Sequence, residues 1–565
     1  MINRLKMKKN RNLLLLGLFL GVMVSCTDDF NEINVQPDAL AVSDVSAKFF
    51  VTSLQKGLFK PPALPLWYGQ IFHQDQYAGQ HAGGHSQYIW DGNFGWEYAS
   101  WLQEGTNGWL AGYNSSLTAY MNLVGEGGVL ENDQYYAIGL IMKGLYYQLY
   151  TDQVGMIPYS EASDPETTLP KYDEQIDVYR GVISELSQAI STIGNKTETG
   201  QGIDKLAEND VLFNGNMQNW KQLANSLKLR MGLRAHGAAG EDFAATAISE
   251  AISSGVLADS DALFTSFNQV ANIWVEHCNY GDIFYGFGEG GQWKVGEPLV
   301  NALSSTNDPR LSLMSKPSAG GTVTVDISES SDKQIAFLKS TLDNAGLVLD
   351  TDYTWTQTAA DLTITMAENT HHIGLPLRLS ANVKGIFNGS LFSNPVDVVI
   401  NKSNDGGDIS PSVVMTAADS HFMIAEAIVK GLASGDAAGH YQIGLEHAMS
   451  LWGTAITDDF ANSEMGTLTG SNEEKLEKIA TQRWIANYTN GYEAWAIVRD
   501  SGYPTSAITT SSDNDIRSLS GAMNGAYANR LRYISSAYTS NAANVQAAVA
   551  KQGADIKTTK LWWAK

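Results

Sequence analysis

Three histidines, His73, His81 and His85, offer imidazole nitrogens along one short stretch. Their H-x7-H-x3-H spacing has no Cys pair beside it and no His-Glu-x-x-His helix, the arrangements that hold zinc. Gly286-Phe287-Gly288-Glu289-Gly290-Gly291 fits G-x-G-x-x-G. That run cradles a dinucleotide only between a strand and a helix, and neither is evident here. His371 and His372 are adjacent, so in an extended segment their rings point to opposite faces. Asp405-Gly406-Gly407-Asp408 supplies too few spaced oxygens for a calcium loop and reads as a turn. With 60 acidic residues a glycosidase pair is not excluded by counting, yet nothing in the sequence singles one out. The chain therefore reads as a non-enzyme with no cofactor, a structural calcium ion being left open.

The side chains that do concentrate are aromatic. Between Trp67 and Tyr113 there are twelve aromatics in 47 residues, where the chain average of 10% gives about five. They alternate with Gly, Asn, Gln, His and Asp, and from Tyr77 to Trp96 no helical stripe is sustained. A second group holds Trp274, Tyr280, Phe284, Tyr285, Phe287 and Trp293, and a third, smaller one holds Tyr353 and Trp355. Flat rings amid amides and carboxylates suit a ligand with apolar faces and polar edges, which describes a sugar. The candidate ligand-binding residues are Tyr88, Trp90, Asn93, Trp96, Tyr285 and Trp293. Any single ring also suits the core of a loop-rich protein, so the clusters carry this reading.

The elements that must position these rings are mainly helical. Ile138, Ile141, Met142, Leu145 and Leu149 form one stripe at helical spacing, and Trp220, Leu223, Ala224, Leu227 and Met231 form a second. Ala418, Phe422, Ala425, Val429 and Leu432 make a third, stopping at Gly435. Asp436 then caps a fourth through Tyr441, Leu445, Ala448 and Leu451. Helix, short turn, helix is the unit of a helical repeat array. Ser471 and Glu474 predict a capping box, and Gly491 is expected to end the helix before it with a positive φ. Asp308-Pro309-Arg310 reads as a turn. Between about 255 and 415 the sequence predicts a long irregular segment with short β-like runs such as 322–327. The fold class is mainly α: helical hairpins forming a scaffold, with loop-rich insertions and minor β.

The N-terminus carries five cations, then a mostly apolar run from Leu13 to Val24 that is too short to span a membrane. Cys26, behind small Ser25, resembles the end of a bacterial lipobox, which implies cleavage before Cys26 and its lipidation. Residues 1–25 are then a signal peptide, 26–42 a lipidated tether reaching about 55 Å when extended, and 43–565 one helical domain. Without residues 1–25, which hold five of the 37 cations and no acid, the formal charge falls from −23 to −28. Such a surface repels phosphate backbones and argues against nucleic acid. Cys278, left without a partner, is expected to be a small buried residue.

Several segments resemble SusD/RagB-type nutrient-binding lipoproteins. These are the lipobox with its acidic tether; Asp152-x-x-Gly155-Met156-Ile157-Pro158-Tyr159; Leu227-Lys228-Leu229-Arg230-Met231; and Asn307-Asp308-Pro309-Arg310-Leu311. Gln482-Arg483-Trp484-Ile485-Ala486 runs into Asn490-Gly491-Tyr492-Glu493-Ala494-Trp495, with Arg499 and Gly502-Tyr503-Pro504 beyond. Arg530-Leu531-Arg532-Tyr533, Asn544 and Trp562-Trp563 complete the series. The resemblance implies tetratricopeptide-like helical pairs, anchorage at the cell surface on the outer membrane, and glycan capture for a SusC-type TonB-dependent transporter. Peptide capture is the alternative ligand class, a surface glycosidase the competing activity, and a purely structural interaction protein the third reading.

Overall fold

The helices begin where the sequence places its caps. In this computed structural model, which describes residues 45–61, 65–83, 108–265, 280–286, 294–380, 383, 385–401, 408–508, 513, 515–517 and 526–564, the chain opens with α1 (Lys48–Phe59) and a wide π-helical segment, Pro65–Gln74. A two-residue strand β1 (His81–Ala82) follows, then α2 (Gly108–Val124) and α3 (Asp133–Val154). Asn132 starts α3 by accepting from the backbone N–H of Gln134 and Tyr135, satisfying donors that a helix N-terminus leaves open. Next come α4 (Gln175–Ile193), α5 (Met217–Ala235) and α6 (Ala244–Ser254). In this series α3 packs on α4, α4 on α5 and α5 on α6, the stacked pairs that the stripes predict. Among the described residues no helix is long and apolar enough to cross a membrane.

The middle of the chain is more ordered than its sequence suggests. It holds β2 (Ala262–Phe264), α7 (Tyr280–Gly286), β3 (Lys294–Val295) and α8 (Glu297–Ser304). It continues with β4 (Gly321–Asp326), α9 (Asp332–Asn344), β5 (Tyr353–Gln357) and β6 (Asp361–Met366). The order β4-β6-β5 makes an antiparallel sheet in which Val323 faces Ile364 and Val325 faces Leu362. Period-two alternation turns these apolar residues inward and leaves Thr322, Thr324 and Thr365 exposed. With Leu338 and Leu342 of α9 they form a second hydrophobic core. Only β4 stood out in the sequence, because β5 and β6 are rich in Thr and their inward faces become apolar only in register. Tyr353 is buried in this core, so that ring is structural.

After β7 (Ser412–Met415), which pairs with β2, come α10 (Ala417–Val429), α11 (Ala437–Ser450), α12 (Asn472–Ala486), α13 (Gly491–Ser501) and α14 (Ala542–Gln552). Asp436 caps α11, and Ser471 with Glu474 forms the expected capping box. Gly502, at φ 78°, ends α13 in the left-handed region that glycine tolerates.

The early and late helices are joined by buried charge. Arg230 and Arg234, one turn apart on α5, face Asp419 of α10, Glu493 of α13 and Asp152 of α3, at 2.8 Å, 2.5 Å and 2.6 Å for the shortest pairs. Arg483 of α12 binds Asp419 and Glu426, both at 2.8 Å. Burial lowers the pKa of Arg234, but the Glu493 and Asp152 carboxylates outweigh it, so its pKa stands well above the usual value. Removing one member would strand a buried charge, which is why such networks fix geometry more than they add stability. The C-terminal tail closes the same region: Trp563 Nε1 donates to Asp152 Oδ1 at 2.8 Å, and Asn544 Nδ2 donates to Leu169 O at 3.0 Å.

Candidate functional site

The described residues that flank the aromatic-rich segments meet in one neighbourhood. β1 and β3 pair antiparallel, His81 with Val295 and Ala82 with Lys294, so the stems of residues 84–107 and 287–293 lie side by side. Tyr280, which opens α7 directly after residues 266–279, packs its ring 5.8 Å from that of His81. Its hydroxyl donates to Asp75 Oδ2 at 2.6 Å and accepts from Gln70 Nε2 at 2.8 Å. Burial, with the Asp75 carboxylate next in size, raises the Tyr280 pKa and keeps that hydroxyl a donor. Lys294 is buried with its ammonium on Asn394 Oδ1 at 2.6 Å, and burial lowers its pKa to about 8.

Asp75 fixes these stems to α13. It is fully buried, and Gly491 packs directly on it: a Cβ on Gly491 would stand 2.0 Å from Asp75 Oδ1 and 2.7 Å from its backbone N. The glycine is thus required by close approach and not by a left-handed turn; the positive φ, 71°, falls on Thr489. This corrects the expectation that Gly491 itself ends the preceding helix.

A two-lobed cleft lies beside Asp75. The first lobe is lined by Phe59, Gln70, Trp109, Tyr280, Asn490 and Tyr492 among others. Trp109 is held by its Nε1 donating to Gly57 O at 2.6 Å, and its ring lies 6.3 Å from that of Tyr492. The second lobe shares Phe59, Asn490 and Tyr492 and continues to Gln148, Asp152, Arg230 and Glu493. Phe59, Trp109 and Asn490 are half-buried, and Gln148, Asp152, Arg230 and Glu493 are buried. Among the described residues no group of three or more His, Cys, Asp or Glu side chains is arranged to hold a metal ion.

A family model described as starch-binding, associating with the outer membrane, matches residues 41–520. The chain belongs to this SusD-like family. Solved structures similar to it include a chitin-binding protein, at 20% identity and TM-score 0.67, over 92% of this chain and 99% of that one. A SusD homologue from Bacteroides thetaiotaomicron matches at 20% identity and TM-score 0.64 over the same shares. Another, from Bacteroides uniformis, matches at 22% identity and TM-score 0.68 over 92% of this chain and all of that one. At these identities the likeness is one of fold. Comparison with curated proteins gave no match.

In this SusD-like protein the aromatics divide. Trp67, Tyr77 and Tyr113 of the first group are buried in the main core, as is Phe284 of the second, so part of the local excess is packing. Tyr88, Trp90, Asn93, Trp96 and Trp293 lie outside the described residues, as do Cys26, the 1–25 and 26–42 segments up to residue 44, Cys278, His85 and Asp405-Gly406-Gly407. Tyr285 belongs to α7, but its side chain is likewise outside the described residues. Of the candidate metal ligands, His73 is buried with Nδ1 3.2 Å from Gly69 O, and His81 contacts Tyr488, its Nε2 3.2 Å from the Tyr488 hydroxyl. Sequence reasoning missed Asp75, Gln70 and the cleft. A buried carboxylate between two polar residues, Gln74 and Gln76, carries no local signal, and the cleft joins residues more than 400 positions apart.

Proposed function

We propose that this protein is a lipid-anchored glycan-binding protein of the cell surface that hands captured oligosaccharides to a SusC-type TonB-dependent transporter. The family match supports glycan binding and outer-membrane association, and the family is one of binding proteins. The observation that supports the reading here is the meeting of His81–Ala82, Tyr280 and Lys294–Val295, the described residues that flank the aromatic-rich segments. Tyr88, Trp90, Asn93, Trp96, Tyr285 and Trp293 are the proposed ligand residues, with rings stacking on sugar faces and Asn93 bonding hydroxyls. Cys26 is the proposed lipid attachment site. No catalytic step is assigned.

Isothermal titration of the protein against starch, chitin and other glycan oligomers, with a peptide digest in parallel, tests the proposal. Saturable glycan binding that is lost in a Trp90→Ala, Trp96→Ala double variant is the expected result. Binding of peptides alone, or release of shortened glycans on incubation, would refute it.

A further inference from the structure

The first described helix is charged unlike the chain as a whole. Between Asp44 and Asp75 the sequence has no acidic residue but carries Lys48, Lys56 and Lys60, in a protein of formal charge −23. α2, which packs on α1, holds no charged residue at all. The adjoining turn brings Glu208 and Asp210. Of these, Asp210 is buried and accepts from Gln55 Nε2 at 2.6 Å and Trp220 Nε1 at 2.8 Å, so it is turned inward.

α1 also turns apolar surface outward. Val51, Leu54 and Leu58 are buried, one stripe of an amphipathic helix. Phe49, Ser53 and Lys56 share the opposite face at i, i+4 and i+7. Phe49 is 52% exposed and Phe50 43%, whereas the other exposed large apolar side chains among the described residues stand singly in the sequence. Lys48 Nζ lies 5.2 Å from the centre of the Phe49 ring. Exposed rings beside ammonium groups suit a lipid–water boundary, where the rings enter the headgroup layer and the ammonium groups reach its phosphates. The place of α1 in the chain names what covers this face. It follows the tether on Cys26, of which residues 26–42 reach about 55 Å at most. A link of that length holds the helix at high local concentration beside the bilayer, so contacts too weak to bind from solution suffice. The family match, to proteins associating with the outer membrane, agrees with that surface.

We propose that α1 is a membrane-seating helix: Phe49 and Phe50 enter the headgroup layer of an anionic lipid surface, with Lys48 and Lys56 on its phosphates. The proposal rests on lipidation of Cys26 and adds to it a second point of attachment, which orients the protein on the membrane instead of leaving it free on its tether.

The test places the lipidated protein in vesicles of phosphatidylethanolamine and phosphatidylglycerol in equal parts, with a mass spectrum to read the acyl chains on Cys26. Phe49→Trp adds an indole at the seat, and Val348→Trp adds one at another exposed position; both sites are exposed, so the fold is kept. Relative to the wild type, the emission added by Phe49→Trp should be largely lost when lipids brominated near the headgroup replace plain ones, while that added by Val348→Trp is kept. Lys56→Glu in the Phe49→Trp background should move the seated population about fivefold or more away from lipid, and so should vesicles of phosphatidylcholine alone. Undiminished Phe49→Trp emission on brominated lipid, or equal quenching at both positions, overturns the seat while the anchor stands. Quenching indifferent to Lys56→Glu and to phosphatidylcholine refutes an anionic surface. Shielding of the indole only when the transporter is present gives this face to a protein partner and overturns the proposal too. A Cys26 without acyl chains removes the anchor and the seat together.

Discussion

Replacement of Asp152 by Ala examines whether the buried charges hold the early and late helices together. Asp152 Oδ2 accepts from Arg234 Nη1 and Gln148 Nε2, both at 2.6 Å, and Oδ1 accepts from the Tyr179 hydroxyl at 2.5 Å and Trp563 Nε1 at 2.8 Å. The side chain is almost wholly buried. Its loss leaves Arg234 dependent on Glu493 and strands a phenol and an indole N–H. Breaking a buried pair costs about 3 to 5 kcal/mol. The unit from Ala47 to Lys565 is about 520 residues. At about 2.1 cal/mol/K per residue its unfolding entropy is about 1.1 kcal/mol/K, so the midpoint should fall about 3 to 5 °C. Differential scanning calorimetry at pH 7 measures this. The control is Asp242→Ala, which removes one of two exposed partners of Arg180, the other being Asp177, and should barely move the midpoint. Equal midpoints for the two variants would refute the reasoning.

Gly491→Ala should be more damaging than a helical Gly→Ala change elsewhere, because the new Cβ would meet backbone atoms of Gln74 and Asp75; an expression and melting comparison with Gly112→Ala, which meets nothing within 4 Å, decides it. Acid should loosen the α10–α11 pair. His421 Nε2 donates to Ala258 O at 3.1 Å, so its Nδ1, 3.0 Å from His440 Nδ1, must accept, and a second proton in that gap would set two N–H groups against each other. Burial lowers both histidine pKa values, while Asp259 opposes this at His421, Asp436 opposes it at His440, and His447 adds to it at His421. Because the folded values lie below the unfolded one, near 6.5, this stability is present above about pH 6.5 and declines as the pH falls below it. Asp261, raised by burial, acts in the opposite direction at more acid pH. The melting midpoint should therefore drop between pH 7.5 and 5.5, and less steeply in His440→Gln; parallel slopes would dismiss the pair as the cause.

Much of the scaffold was legible because its signals are local. The stripe at Ile138 to Leu149 lies within α3, Asp436 caps α11, and Ser471 with Glu474 starts α12, each decided by residues within a few positions of one another. The sheet β4-β6-β5 was only partly legible, since Thr363 and Thr365 acquire an outward face once Leu362 and Ile364 are paired with β4. Gly491 was seen as special, but for a reason that belongs to a turn, whereas the cause is Asp75, more than 400 residues earlier.

By itself the sequence determined helical stripes, caps, the concentration of aromatic side chains and the ordered motifs of a SusD-like chain, since periodicity, capping chemistry and composition act over short distances. Only the tertiary structure decided which rings are core, that β1 meets β3, and that Arg230 and Tyr492 border one cleft. Those depend on long-range packing, in which a residue's role is set by neighbours that no nearby stretch of sequence contains.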